Sequence, residues 1–454
     1  MLKKSTKALK DNSNRSLQRK ACAYHAQVKP GKLATKITKS CATQADLALA
    51  YTPGVGLVCL EIARAARNAE KYTNRQNLVA VLSDGSAVLG LGDLGPLASY
   101  PVMEGKGVLF KKFADIDVFP LCVQDRNAQG QIEVAKLVEI ASSLEPTFGG
   151  INLEDIKAPE CFAIEQQLRQ RMQIPVFHDD QHGTAIIVLA ALINSLFLAG
   201  KKLREVKCVF VGSGSAGLAT AELFVAAGVP RRNLTLIDSQ GVIYKGRSLL
   251  NVYKKRFALK TQKRTLAEVL EQADVFIGVS RRDLLRPELV RGMAAKPIIF
   301  ALANPWPEIL PAVAKRAGGF IVGTGRSDFP NQINNVLGFP GIFRGALDTR
   351  AREINTEMKL AAAQALALLA RERVPQGVQQ VLRQAYPQEV KKQVFNFKEP
   401  LQPDCILPKP LDPRVVPRVA RAVAGAAFKT KVQRVPKFDL AQYEKAVARR
   451  IAAA

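Results

Sequence analysis

No CxxC pair occurs in the 454 residues, and the seven cysteines (Cys22, Cys41, Cys59, Cys122, Cys161, Cys208 and Cys405) are scattered. That spacing speaks against a disulfide scaffold or a structural zinc site and fits a reducing compartment. Apolar runs fall short of the roughly 20 residues that cross a bilayer. The longest, residues 185–200, contains Asn194 and Ser195 and reads as a buried helix. The N-terminus lacks the apolar stretch of a secretory signal. Its basic, Ser-containing start has only a weak likeness to an organelle-targeting peptide, so a cytoplasmic protein without a membrane span is expected. Internal repeats are absent, and residues 1–20 are polar and expected to fray.

Negative charge is scarce: 66 Lys and Arg stand against 39 Asp and Glu, a net charge of +27. The excess lies at the ends, +10 over residues 1–40 and +11 over residues 349–454, and the middle is nearly balanced. Basic flanks suit either a nucleic-acid binder or an enzyme with charged ends. Aromatic residues are 6% of the chain and sparse in those flanks, so the stacking platforms of a nucleic-acid groove are missing. The remaining composition, 48% hydrophobic and 23% charged, is that of an ordinary globular protein of two or three domains.

Strand-like runs are expected at residues 78–82, 88–91, 116–123, 148–152 and 175–178, with helices near 159–171 and after Gly183. A second, cleaner series of strands at 206–211, 234–238, 274–279, 298–303 and 320–322 alternates with helical stretches, the rhythm of a doubly wound parallel sheet. The end is helical and Ala-rich, at 358–370 and 440–452. The fold class is therefore α/β.

Val209-Phe-Val-Gly212-Ser213-Gly214-Ser215-Ala216-Gly217 is a GxGxxG between a strand and a helix. Its glycines allow a tight turn, close approach of backbone to a pyrophosphate, and close helix–strand packing. Asp238 ends the next strand, where a carboxylate can accept from a ribose hydroxyl and repel a 2′-phosphate. Arg231, Arg232, Lys245, Arg247, Arg281 and Arg282 in the same region could offset it, so NAD and NADP both stay open. A second match, Gly90-Leu-Gly92-Asp-Leu-Gly95, is followed by Pro96 and Pro101; it is read as a glycine-rich turn with no ordinary helix after it.

Glu154 and Asp155 follow one expected strand, and Asp179 and Asp180 follow another. Parallel strands put these ends on one edge, where several carboxylates can share a cation; all-oxygen ligation favours Mg²⁺ or Mn²⁺. The plainer reading is helix-capping loop acids. His178 and His182 flank the pair without forming HExxH and are read as supporting residues.

Several long motifs resemble the malic enzyme family. They are Leu49-Ala-Tyr51-Thr-Pro-Gly-Val55, Ser83-Asp-Gly85, Pro101-Val-Met-Glu-Gly-Lys106, the run from Phe148 to Glu160, Pro175-Val-Phe-His-Asp-Asp180-Gln-His-Gly-Thr184, Ala301-Leu-Ala-Asn304-Pro, and Arg326-Ser-Asp-Phe-Pro-Asn331-Gln-Ile-Asn334-Asn335-Val. The likeness spans roughly residues 24–444 and is greatest to the malic half of long bacterial forms, whose phosphate-acetyltransferase-like region is expected to be missing here. It implies oxidative decarboxylation of (S)-malate to pyruvate and CO₂ with NAD or NADP, and oxaloacetate decarboxylation at the same site. It implies Lys106 as general base, Tyr51 as general acid, and Asp179 as a helper. Glu154, Asp155 and Asp180 become metal ligands, Asn304 and Asn335 substrate contacts, and Asn304 also a neighbour of the nicotinamide ribose. Without the motifs, Tyr51 would read as a half-buried tyrosine and Lys106 as a surface lysine. Burial near a cation is expected to lower the pKa of Lys106.

The resemblance implies an N-terminal catalytic domain (21–183), a Rossmann-type NAD(P)-binding domain (184–425) and a C-terminal helical extension (426–454), behind the polar segment 1–20. A homo-oligomer, dimer or larger, is expected, and nucleic acid is not. Ala87 stands where animal-type enzymes hold a substrate carboxylate with arginine, so Arg326 is the candidate replacement. Arg281, Arg282 and Trp306 also depart from the family pattern. The alternative readings are a catalytically weak relative acting as a basic interaction protein, and another two-domain dehydrogenase.

Overall fold

Residues 12–27, 29–391, 394 and 396–453 are described in the computed structural model of the chain. Its first sheet is built from β1 (Leu78–Ser83), β2 (Asp117–Cys122), β3 (Gly150–Leu153) and β4 (Val176–His178), all parallel, in the order β2-β1-β3-β4. The helices before and between these strands are α1 (Asn12–Ala26), α2 (Gln44–Ala50), α3 (Gly54–Arg64), α4 (Pro96–Ala114), α5 (Val134–Ser143) and α6 (Glu160–Arg171), counting those of seven or more residues. Every residue of β1 is buried, as suits a central strand covered on both faces. Alternation divides them: Leu78, Ala80 and Leu82 pack with α5 and α6, while Val79 and Val81 share a core with Met103 and Phe110 of α4.

The second sheet is β5 (Cys208–Val211), β6 (Leu234–Asp238), β7 (Gly241–Val242), β8 (Val275–Gly278), β9 (Ile298–Ala301) and β10 (Ile321–Thr324). Its order is β10-β9-β8-β5-β6-β7, parallel except for the edge strand β7. The chain leaves β5 toward β6 on one side and returns through β8 on the other, so a crevice opens between the ends of β5 and β8. Helix α7 (Thr184–Ala199) links the two sheets and is buried nearly all round. It and α8 (Ser215–Ala226) sit in one apolar core that runs from Val79 and Phe177 to Phe210 and Phe300.

Of the five later helices of that length among the described residues, Gln376–Ala385 aside, α9 (Phe339–Asp348), α10 (Thr356–Leu369), α11 (Val415–Thr430) and α12 (Leu440–Ala453) pack against this framework, and α9 and α12 both return to α4. Phe339 and Phe343 of α9 meet Phe110 edge-on at 4.7 and 5.1 Å; such ring pairs contribute about 0.5–1.5 kcal/mol each beyond area burial. Buried Arg344 donates to Asn77 Oδ1 (2.6 Å), and Arg450 of α12 donates to the same oxygen (2.8 Å) and to Asp115 (2.9 Å).

Four expectations need correction. Residues 88–91 form no strand; Val88 makes only an isolated bridge to Gly92 around a turn. Helix α4 does open directly after the first glycine run, because Pro96 occupies the first helical position, where its missing N–H is not needed. Residues 12–20, expected to fray, belong to α1, while residues 1–11 lie outside the described residues. Finally, two helical stretches are apolar enough to cross a bilayer by length and composition, residues 179–199 and 44–64. The first is largely buried as the core helix. The second has no buried residue and is broken at residues 51–53 between α2 and α3.

Candidate active site

The register of the first sheet aligns Leu82, Leu153 and His178. The residues that follow β3 and β4 therefore emerge side by side at one edge. Glu154, Asp155 and Asp180 each place a carboxylate oxygen within 4.8 Å of the others. Asp155 adopts φ 54° and accepts from Leu89 N–H at 3.3 Å, leaving Oδ2 buried without a partner. Its own N–H donates to Asp180 Oδ2 at 2.8 Å. Burial drives the Asp155 carboxyl up to about 7, reinforced by Asp180, and burial also holds Glu154 well above its ordinary value. Carboxyls forced together and desolvated in this way favour a cation among them. The oxygen-only set and the orphaned Oδ2 fit Mg²⁺ or Mn²⁺ held by Glu154, Asp155 and Asp180.

Asp179 and Asp180 lie on a single π-helical turn, Asp179–Gly183, that runs into α7. The turn sends the two carboxylates apart. Asp179 is fully buried, and its Oδ2 accepts from Lys106 Nζ at 2.6 Å and from Asn335 Nδ2 at 3.0 Å. Lys106, on α4, also sits 2.9 Å from Glu154 Oε1, with its Nζ 4.5 Å from the Phe339 ring centroid. Burial favours its neutral form, but Asp179, Glu154 and Asp180 outweigh burial and hold the ammonium well above its usual range. Burial lowers it as expected, and the three acids reverse the net direction.

Lys106, Glu154, Asp155 and Asp180, with Asp179 buried behind them, line a cavity of about 810 Å³ together with Asn304, Asn334, Asn335, Ser215 and Ala216. A neighbouring cavity of about 380 Å³ is lined by Gly212, Ser213, Gly214 and Asp238, and Val279 and Ser280 border both. The glycine loop thus lies between the carboxylate cluster and Asp238. A Cβ on Gly217 would meet Gly212 O at 1.9 Å, and one on Gly212, at φ 108°, would meet Val279 O at 2.5 Å. Both positions are closed to any side chain, while nothing stands within 4 Å of a Cβ on Gly214. That cradle, at the N-terminus of α8, fits a dinucleotide pyrophosphate. Gly217→Ala is expected to lower the unfolding free energy in urea by about 1–3 kcal/mol and to weaken nucleotide binding. Gly377→Ala, where a Cβ meets nothing within 4 Å, is the silent control; equal effects would sink the argument.

Two expected residues lie elsewhere. Tyr51 is 74% exposed between α2 and α3 and does not line the cavity. Arg326 does not line it either; it pairs with Asp328 at 2.7–2.8 Å and stacks on Trp306 and Phe329. Arg282 likewise pairs with Asp283 and faces Trp306. His182 is held away from the carboxylates by Glu165 (2.9 Å) and Lys359 (3.0 Å), and burial lowers its pKa to about 4. His178 is buried with both ring nitrogens unpartnered, Nδ1 standing 3.8 Å from Asp180.

The sequence reading overlooked Glu308, which is buried and accepts from Ser280 N–H (2.9 Å) and Ala303 N–H (3.1 Å), fixing the loops after β8 and β9 against each other. It also overlooked Glu165, which accepts from His178 N–H at 3.2 Å as well as from His182 and so braces both ends of the turn that carries Asp179 and Asp180. An acid at an apolar position of α6, between buried Ile164 and Leu168, was the available signal.

Comparison with known proteins gives the same assignment for both halves. Family profiles described as "Malic enzyme, N-terminal domain" and "Malic enzyme, NAD binding domain" match residues 30–169 and 181–388. The chain is 52% identical to the NADP-dependent malic enzyme of Halomonas elongata, covering 92% of this chain and 94% of that one. It is 51% identical to the probable NADP-dependent malic enzyme of Rickettsia prowazekii over 97% of this chain and 55% of that one; among several such curated relatives the chain spans about half their length. The crystal structure of a Pyrococcus horikoshii malic enzyme superposes with a TM-score of 0.85 at 42% identity, over 96% of both chains. On sequence and fold alike, the chain belongs to the malic enzyme family.

Proposed function

We propose that the chain catalyses the divalent-metal-dependent oxidative decarboxylation of (S)-malate to pyruvate and CO₂ with NAD⁺ or NADP⁺ as oxidant, in the cytoplasm. One observation carries the reading: a buried lysine amine wedged between Asp179 and a metal-ligand carboxylate, Glu154, in a cavity that continues to the dinucleotide cradle. When bound, the cation supplies Lewis acidity at a carbonyl oxygen and the nicotinamide accepts hydride. The residues supply the rest. With Glu154 and Asp180 engaged in ligation, Asp179 alone is left to oppose burial at Lys106, and the balance moves toward the neutral amine. Neutral Lys106 accepts the malate C2 hydroxyl proton as hydride departs, giving oxaloacetate. Asp179, itself held by Asn335, keeps the amine in place and stabilises the ammonium it becomes. Loss of CO₂ leaves an enolate that a phenol protonates at C3, giving pyruvate. The carboxamides of Asn304 and Asn335 are the neutral donors to the substrate carboxylates. Oxaloacetate supplied directly enters at the second step. The test is reduction of each nicotinamide by (S)-malate with Mn²⁺, with Mn²⁺ plus chelator, and with pyruvate assayed; turnover indifferent to chelator would refute it.

A second copy of the chain completes the site in this reading. Tyr51 lies on a helix pair without a single buried residue, beside exposed Leu47, Leu49, Leu57 and Leu60. An apolar face of this kind is stabilised by covering it, and a two-fold dimer would exchange one Tyr51 for another. Equimolar Tyr51→Phe and Lys106→Ala chains, each inactive alone, are then expected to recover about a quarter of wild-type activity after mixing and subunit exchange. No recovery in mixtures shown to exchange subunits would assign Tyr51 to its own chain's cavity.

A further inference from the structure

Trp306 is the chain's only tryptophan and stands two residues beyond Asn304, which lines the main cavity. The loops after β8, β9 and β10 meet around it and contribute Ser280, Asn304 and Gly325 to the cavity wall. They are joined at two levels. At the base, buried Glu308 accepts from Ser280 N–H (2.9 Å) and Ala303 N–H (3.1 Å), and Leu285 N–H donates to Glu308 O at 3.0 Å. At the outer level, the Arg282 and Arg326 guanidiniums each stand 5.3 Å from the Trp306 ring centroid. Arg326 Nη1 donates to Pro305 O at 3.2 Å, and Asp283 N–H donates to Pro307 O at 3.3 Å. The base is held by buried, charge-assisted bonds. The outer contacts, with the Arg282 side chain 58% exposed, are the weaker set.

Asn304 lies between the two levels. Its carboxamide has no hydrogen-bond partner among the described residues, so no such bond fixes its rotamer. It lies instead against Gly325, where a Cβ would meet Asn304 Nδ2 at 3.2 Å and Oδ1 at 3.3 Å. A Cβ on Gly90, at φ 73°, would meet Asn304 O at 2.7 Å, so the first glycine-rich turn closes on the same residue. Pro305 and Pro307 flank Trp306 and fix φ on both sides of it, so a displacement of the indole passes along the backbone to Asn304. Arg326 follows Gly325 directly, so the guanidinium that packs on Trp306 also sets the surface that supports the carboxamide. Trp306 itself lines neither the main cavity nor the dinucleotide cradle.

We infer that Trp306, gripped by Arg282 and Arg326, is the positioning residue for Asn304: the stack aims the carboxamide into the cavity without touching the ligand. The inference rests on the proposed function in taking Asn304 to contact what binds there. A residue that acts through another reveals itself by non-additivity. Asn304→Ala, Trp306→Ala and the double variant are compared by calorimetric titration of the folded, full-length chain with NADP⁺ and with NAD⁺, which needs no turnover. The same set is compared by kcat/KM for (S)-malate with Mn²⁺. Trp306→Ala is expected to lower dinucleotide affinity and kcat/KM at least about tenfold, within the roughly 10²-fold that a 1 Å misplacement costs, and to keep wild-type affinity for Mn²⁺. The double variant should be no worse than Asn304→Ala alone. Trp306→Phe, which keeps a ring face for the guanidiniums, should recover most of the loss. Wild-type affinity in Trp306→Ala, losses that add in the double variant, or a loss shared equally by Mn²⁺ would overturn the inference. If Trp306→Ala does not fold, the wild type decides: emission of the sole tryptophan should shift as the dinucleotide binds, and an unmoved emission at saturation would overturn the inference. A non-additive cycle in dinucleotide binding by a chain inactive on malate would uphold the inference and refute the proposed reaction; malate turnover with an additive cycle would do the reverse.

Discussion

Lys106→Ala is expected to lower kcat for malate oxidation at least about 10³-fold, within the range that a positioned acid–base group contributes. The amine is 2.6 Å from Asp179 and 2.9 Å from Glu154, and no other Lys or Arg lines the cavity among the described residues. A neighbour therefore cannot stand in for it. The same substitution leaves two buried carboxylates without their ammonium, and breaking such a pair costs about 3–5 kcal/mol. The variant should therefore be less stable than wild type without a divalent cation and regain stability with Mn²⁺. Steady-state kinetics and thermal unfolding with and without Mn²⁺ check both halves. Near-normal kcat in a folded variant would remove Lys106 from the role of base.

Removing the cation should be as severe. Chelator is expected to abolish turnover and Mn²⁺ to restore it, and Asp180→Ala should weaken Mn²⁺ binding at least about 100-fold, above the range for losing a supporting residue. Binding should also depend on pH with a definite sign. The cation needs ionised carboxylates, and burial raises Asp155 to about 7. Above that value the oxygen is free. Below it a proton must be displaced, so affinity falls by up to about tenfold per unit of pH for each proton released. Titrations with Mn²⁺ at pH 6 and pH 8 should differ accordingly, the weaker at pH 6. Equal affinities would mean that the ligands are already ionised.

Much of this site was readable because its logic is local. Glu154-Asp155 and Asp179-Asp180 each follow a strand, and parallel strands deliver their ends to one edge whatever the loops do. The glycine loop was readable because a strand, a turn and a helix adjoin in sequence. What escaped depends on distant partners. Of the two residues that pair with Asp238, Arg247 was one of six basic candidates and Lys254 was not among them, because neither carries a periodic signal that ties it to Asp238. The two-residue β7 has too few residues to show alternation. Pro96 was read as a stop when its place after Gly95 makes it a start. The exposure of Tyr51 follows from how α2 and α3 lie on the outside of the fold, which the apolar character of Leu47 and Leu57 would have argued against.

The paired contacts of Asn77 with Arg344 and Arg450 set a schedule for folding during synthesis. Asn77 precedes β1, and the farther of its two arginine partners is 373 residues away. At about 5–20 residues per second, a ribosome needs roughly 20–75 s to deliver it. Until then Asp115 also lacks its Arg450 contact, and the part of α4 that receives α12 is bare. The first sheet of the chain is thus among the last parts to receive all its contacts.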